Sequence, residues 1–83
     1  MLRRRNNLDI MAEVLEIAQL GAKKTWIVYK ANLNFKIVKD YLDELMEKGL
    51  LEYDGSIYST TDRGFEFLEE YRNFRKFRRV VAA

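Results

Sequence analysis

The hydrophobic period of this chain changes at Gly49, and that change limits the folds open to it. Up to Met46 the apolar residues recur at helical spacing. After Gly49 the pattern is strand-like: Leu50-Leu51-Glu52-Tyr53 leads through Asp54-Gly55 to Ser56-Ile57-Tyr58-Ser59-Thr60. An Asp-Gly pair between β-forming residues is the strongest short hairpin signal, because both central positions of a type I′ turn need positive φ. Thr61 then caps a last helix of about 20 residues, a rod of roughly 30 Å. The chain has 83 residues, too few to close a second core, so hairpin and helices share one domain.

Upstream of the hairpin the sequence predicts three helices. Asn7 caps the first, whose apolar stripe is Ile10, Met11, Val14, Leu15 and Ala18 and which ends at Gly21. Lys23-Lys24 is extended, a short strand at most. Thr25 caps a second helix reaching about Ala31, with Trp26, Ile27 and Tyr29 as its apolar positions. Asn32-Leu33-Asn34 breaks the pattern, since Asn tolerates left-handed dihedrals, and Asn34 caps a third helix from Phe35 to about Lys48. Val38, Leu42, Leu45 and Met46 share one face of it, and Gly49 takes the C′ position.

Two helices joined by a three-residue turn form a helix-turn-helix unit, with Leu33 locking the crossing angle. A hairpin directly behind the second of them is a wing. The expected fold class is therefore α+β, mainly helical: a winged helix-turn-helix with a two-stranded wing and a long C-terminal helix. The expected organisation is a basic N-terminal arm over 1–6, a head over 7–61 and a dimerising helix over 62–83.

The residue inventory narrows the chemistry. Cysteine and histidine are both absent, which removes disulfides, thiolate and imidazole metal sites, and Ser-His or cysteine nucleophiles. Carboxylates and lysines are spread without Gly-rich loops beside them, so neither an enzyme nor a cofactor or metal site is expected. No apolar run nears the roughly 18 residues needed to span a bilayer, and the charged N-terminus lacks the apolar segment of a signal peptide. A cytoplasmic location is expected.

Net charge is only +2, but it is unevenly placed. Residues 3–5 are all Arg. The segment 23–39 carries Lys23, Lys24, Lys30, Lys36 and Lys39 with no acid, and from Arg72 onward Arg72, Arg75, Lys76, Arg78 and Arg79 follow, again with no acid. Such clustering is the footprint of a nucleic-acid partner. Short basic runs of solvated surface give the same pattern.

The stretch from Gly21 to Gly64 resembles the archaeal winged-helix regulators of the Sso10a type. The likeness rests on Lys24-Thr25, Tyr29-Lys30-Ala31-Asn32-Leu33, Tyr41-Leu42, Glu47-Lys48-Gly49-Leu50-Leu51 and Thr61-x-x-Gly64. It implies an archaeal or archaeal-virus origin, DNA as the partner, and a homodimer joined by an antiparallel coiled coil of C-terminal helices. Two departures weaken the DNA surface it implies. The third helix has Ile37 and Asp40 where polar or basic residues are expected, and the wing offers only Glu52 and Asp54 as charges.

In a helix-turn-helix the second helix enters the major groove by its first turns. Opposite the apolar stripe lie Lys36, Ile37, Lys39, Asp40 and Asp43. Lys36 and Lys39 suit phosphates or guanine edges, Ile37 a thymine methyl, Asp40 a cytosine amino group, and Asn34 an adenine if capping leaves it free. The alternative for Lys36 and Lys39 is a solvated face with i, i+4 pairs to Asp40 and Asp43. Lys23, Lys24 and Lys30 stand where phosphates position such a module. The arm of Arg3, Arg4 and Arg5 either follows the backbone, enters a minor groove, or makes no ordered contact.

Along the last helix Phe67, Tyr71, Phe74, Arg78 and Val81 follow a 4-3-4-3 spacing, the a/d pattern of a coiled coil, and Phe77 adds apolar surface. Phe65 and Leu68 are expected to pack on the head. Pairing with a second copy buries the stripe; folding back onto the head is the alternative. The function expected is a homodimeric DNA-binding regulator. An architectural DNA protein and a winged-helix protein adaptor are the alternatives, the adaptor favoured by the acidic wing, Asp40 and Ile37.

Overall fold

The computed structural model describes residues 5–82, with side chains through residue 77. The order is α1 (Asn7–Ile17), α2 (Lys24–Ala31), α3 (Phe35–Glu47), β1 (Leu51–Tyr53), β2 (Tyr58–Thr60) and α4 (Asp62–Ala82). Strands β1 and β2 pair antiparallel, with Leu51 opposite Thr60 and Tyr53 opposite Tyr58. This is the expected winged helix-turn-helix.

The core sits where α1, α3, the base of the hairpin and the start of α4 meet. Val14, Leu15, Ile27, Val38, Leu42, Leu45 and Leu68 are its large, fully buried side chains. Each contributes about 1.5–3 kcal/mol by leaving water. Ile10, Met11, Ala12, Ala18, Ala22, Leu50 and Leu51 complete it. Thr60, the buried polar side chain, donates from Oγ1 to the Leu15 carbonyl at 2.6 Å, tying the wing to α1.

Helix ends follow the capping residues with small shifts. Asn6, not Asn7, caps α1 in a capping box, its Oδ1 accepting from the Asp9 N–H at 2.8 Å. Asn7 instead accepts from the Tyr41 hydroxyl at 2.6 Å, linking α1 to α3. Helix α2 starts at Lys24, before Thr25, with no side-chain cap. Asn32 takes the left-handed conformation at φ +57, which lets the Leu33 N–H reach the Val28 carbonyl. Gly49, at φ +75, closes α3 as expected: its N–H bonds to Met46 and that of Leu50 to Leu45.

Three expectations need correction. Trp26 and Tyr29 are not core positions of α2: they are 50% and 73% exposed, and Ile27 and Ala31 make the buried contacts. The wing turn is not a two-residue type I′ turn. Only Gly55 has positive φ, and Asp54 Oδ1 accepts from both the Ser56 and Ile57 N–H groups, closing a four-residue loop. Of the expected extended pair Lys23 is extended but Lys24 already begins α2, and the bridge is made by Ala22, which exchanges two hydrogen bonds of 2.9 Å with Tyr58 on the edge of β2.

Helix α4 lies along α1. Leu68 is buried, but Phe65, expected on the head, is 42% exposed. Phe67 and Tyr71 are half-buried against the core, and the Tyr71 hydroxyl donates to the Asp9 carboxylate. Arg72 pairs with Glu16 at 3.0 Å.

Candidate nucleic-acid interface

Helix α3 presents its first turns outward because its own stripe turns them so. Val38, Leu42 and Leu45 face the core, which leaves Lys36, Ile37, Lys39 and Asp40 turned away from it, and these and Phe35 at the helix start are all exposed. Asn34 fixes where the helix begins, its Oδ1 accepting from the Ile37 N–H at 2.8 Å. Bidentate reading of adenine needs the acceptor and the donor of an amide together. With the acceptor spent on the cap, Asn34 retains only its NH₂ group for a base.

The two lysines of α3 differ. Lys39 donates to Asp43 one turn on, at 3.0 Å, and this partner holds its pKa above the ordinary lysine value. Lys39 is therefore a cation with an anion already beside it. Lys36 belongs to none of the ion pairs among the described residues, and no bond holds it to Asp40.

The wing stands beside this face. Tyr58, near enough to Lys39 and Asp43 to feel their charge, has its pKa raised, mainly by partial burial. Its ring stacks on Tyr53 with centroids 4.3 Å apart. Glu52 and Asp54 are exposed, and two backbone N–H groups lower the pKa of Asp54, so it stays anionic. The wing thus offers aromatic rings and negative charge.

Lys23, at the N-cap of α2, and Lys30 on it are exposed, and Lys24 is half-buried. The Lys24 ammonium sits 5.8 Å from the centre of the Phe35 ring, and that of Lys30 5.4 Å from Trp26. Trp26 stacks on Tyr29 at 5.6 Å. The sequence reading missed these exposed aromatics. The signal was the i, i+3, i+4 spacing of Trp26, Tyr29 and Lys30, which puts them on one face.

Arg5 is drawn back to the head, donating to Glu13 and to the Ala31 carbonyl, both at 2.7 Å. Arg3 and Arg4 lie outside the described residues. Of the side chains expected at a dimer seam, Phe67 and Tyr71 turn towards the head, whereas Phe74 and Phe77 are 50% and 66% exposed. The side chains of Arg78 and Val81 lie outside those described. Among the described residues no cluster of acids gathers as a metal site, and no helix is long and apolar enough to cross a membrane.

With this geometry in view, comparison with known proteins is decisive at one level. Residues 4–79 match the winged helix-turn-helix family. The chain belongs to that family. Among solved structures it is similar to Sso10a-2, a DNA-binding protein from Sulfolobus solfataricus, with a TM-score of 0.82 and 28% identity. That similarity covers 94% of this chain and 86% of the other, so the likeness to Sso10a-type proteins spans nearly the whole chain. Comparison with curated protein sequences found no match.

Proposed function

We propose that this winged helix-turn-helix protein is a cytoplasmic, homodimeric DNA-binding regulator of archaeal type that sets α3 into the major groove. The observation that carries the reading is the exposed N-terminal half of α3, where Lys36, Ile37, Lys39 and Asp40 stand clear of the core on a rigidly capped helix. Lys36 supplies a charge outside the ion pairs of the described residues, Ile37 an apolar surface for a thymine methyl, and Lys23 and Lys30 flanking phosphate contacts. The DNA-binding character of Sso10a-2 supports the same partner. Absence of a basic wing shifts the contact towards α2 and the start of α3.

The domain reading is an arm over 1–6, a head over 7–61 and a dimer element over 62–83. Exposure of Phe74 and Phe77 supports pairing through the distal half of α4, since two exposed phenylalanines on a helix are costly in water. Light scattering at micromolar concentration checks this, and a clean monomer refutes it.

The reading as a whole is tested by anisotropy of a labelled duplex titrated at several salt concentrations. With about six phosphates neutralised per protomer, affinity falls by about three decades between about 50 and 200 mM salt. Replacing Lys36 and Lys39 together with Ala weakens duplex binding at least about tenfold. Unchanged affinity favours the adaptor reading, which the anionic wing with Glu52 and Asp54 supports.

A further inference from the structure

We propose that the Trp26–Tyr29 pair is a stacking platform for unpaired nucleotides of a single nucleic-acid strand. Neither ring belongs to the buried core or packs against it. Ile27 and Ala31 bury α2 against the head, while Trp26 and Tyr29 remain 50% and 73% exposed and stack on each other at 5.6 Å. Two large aromatic rings side by side in water form an apolar patch that a globular surface does not ordinarily leave open.

Charge identifies the occupant. Lys23, Lys24 and Lys30 stand at and along α2 with no acid among them, and the Lys30 ammonium lies over the Trp26 ring, 5.4 Å from its centre, close enough to meet the phosphate of a nucleotide stacked on the pair. Aromatic rings interleaved with cations are how proteins hold single strands: the ring takes the face of any base, and the cation tracks the backbone. A duplex keeps its base faces stacked on one another and offers these rings nothing comparable. An apolar protein surface gains nothing from the lysines. The proposal differs from duplex binding in what it needs: it needs the rings of α2, whereas the duplex reading needs Lys36 and Lys39 of α3, and Lys30 serves both.

Trp26 is the single tryptophan of the chain, so its fluorescence reports directly on the site. The full chain is titrated with oligo(dT), oligo(rU) and a random-sequence duplex, the strands being about 12 nucleotides long. Both single strands are expected to quench Trp26, and the ratio of their affinities shows whether DNA or RNA is preferred. By anisotropy of labelled oligo(dT), Tyr29→Ser binds at least about tenfold more weakly, while Tyr29→Phe, which keeps the ring, binds like the parent. Duplex affinity is unchanged in both variants. Lys36→Ala with Lys39→Ala has the opposite profile, losing duplex and keeping the single strand, so failure of either reading shows separately. Absence of quenching by either strand at about 50 mM salt overturns the proposal. So does equal loss of strand and duplex binding in Tyr29→Ser, or a single-strand affinity indifferent to the ring. Circular dichroism of Tyr29→Ser confirms that the fold is retained.

Discussion

Gly64 is the third residue of α4, and helix propensity alone makes Gly64→Ala a stabilising change of about 1 kcal/mol. The structure reverses the sign. A Cβ built on Gly64 falls 2.3 Å from the Leu50 carbonyl oxygen and 2.5 Å from Thr60 Cγ2, both inside the 3.0 Å that Cβ atoms respect. One of these neighbours is backbone and cannot turn aside. The Leu50 carbonyl also accepts from the Thr61 N–H at 3.1 Å, so pushing it away breaks the bond that starts α4. Overpacking of this kind costs about 1–3 kcal/mol, and the lost hydrogen bond about 1 more. Set against the propensity gain, the net loss is about 1–3 kcal/mol. For a domain of this size that lowers Tm by about 5–20 °C. Thermal and urea unfolding followed by circular dichroism measure it. Thr60→Ser, which removes Cγ2 and keeps the hydroxyl, should recover part of the loss in a double-mutant cycle. A Gly64→Ala protein as stable as the parent refutes the argument, because it means α4 can leave the hairpin base at no cost.

Two further outcomes follow from hydrogen bonds on either side of α1. Thr60→Val fills the same space but leaves the buried Leu15 carbonyl without its donor, and should cost about 1–3 kcal/mol, read as a lower urea midpoint at constant m. Partial burial and the Asp9 carboxylate raise the Tyr71 pKa above its ordinary 10.0, so the folded state holds this proton more tightly than the unfolded state does. That contribution is complete below about pH 10 and is lost as pH rises through the folded value. Tyr71→Phe should therefore be less stable at neutral pH and lose less between about pH 9 and 11.5 in urea titrations, with Tyr58 and Lys39, both also raised, contributing to the remaining slope.

How far the sequence could be read depended on whether local chemistry or tertiary choice decided each point. Helix α3 was legible from end to end because both boundaries are local: an Asn whose side chain closes on the backbone three residues later, and a Gly at positive φ. The wing was legible as a hairpin, but not its turn, since Asp54 could satisfy the loop through its side chain as well as through its own dihedrals. Helix α2 was the failure. Trp26, Ile27, Val28, Tyr29 and Ala31 are apolar almost all round, so the pattern names no inner face. Contact with α1 and α3 selects Ile27 and Ala31, and that choice exposes the aromatic pair. The same limit applies to α4. A 4-3-4-3 stripe does not say whether Phe67 and Tyr71 meet a second copy or the head; in the structure they meet the head. The Ala22 bridge, one residue long, has no alternation to read.

Thr61 stands between β2 and α4, and besides the bond its carbonyl accepts from the Phe65 N–H, three hydrogen bonds meet at it. Its hydroxyl donates to the Gly49 carbonyl at 2.7 Å and accepts from the Gly64 N–H, while its own N–H reaches Leu50. The end of α3, both feet of the hairpin and the first turn of α4 are thereby clasped at a single residue. Such a junction makes them one cooperative unit, opening together or not at all. The tip at Asp54–Ile57 lies outside the clasp and is held chiefly by its own Asp54 turn. Length and sequence there can drift without loosening the base, whereas a single methyl at the clasp is felt in three elements at once.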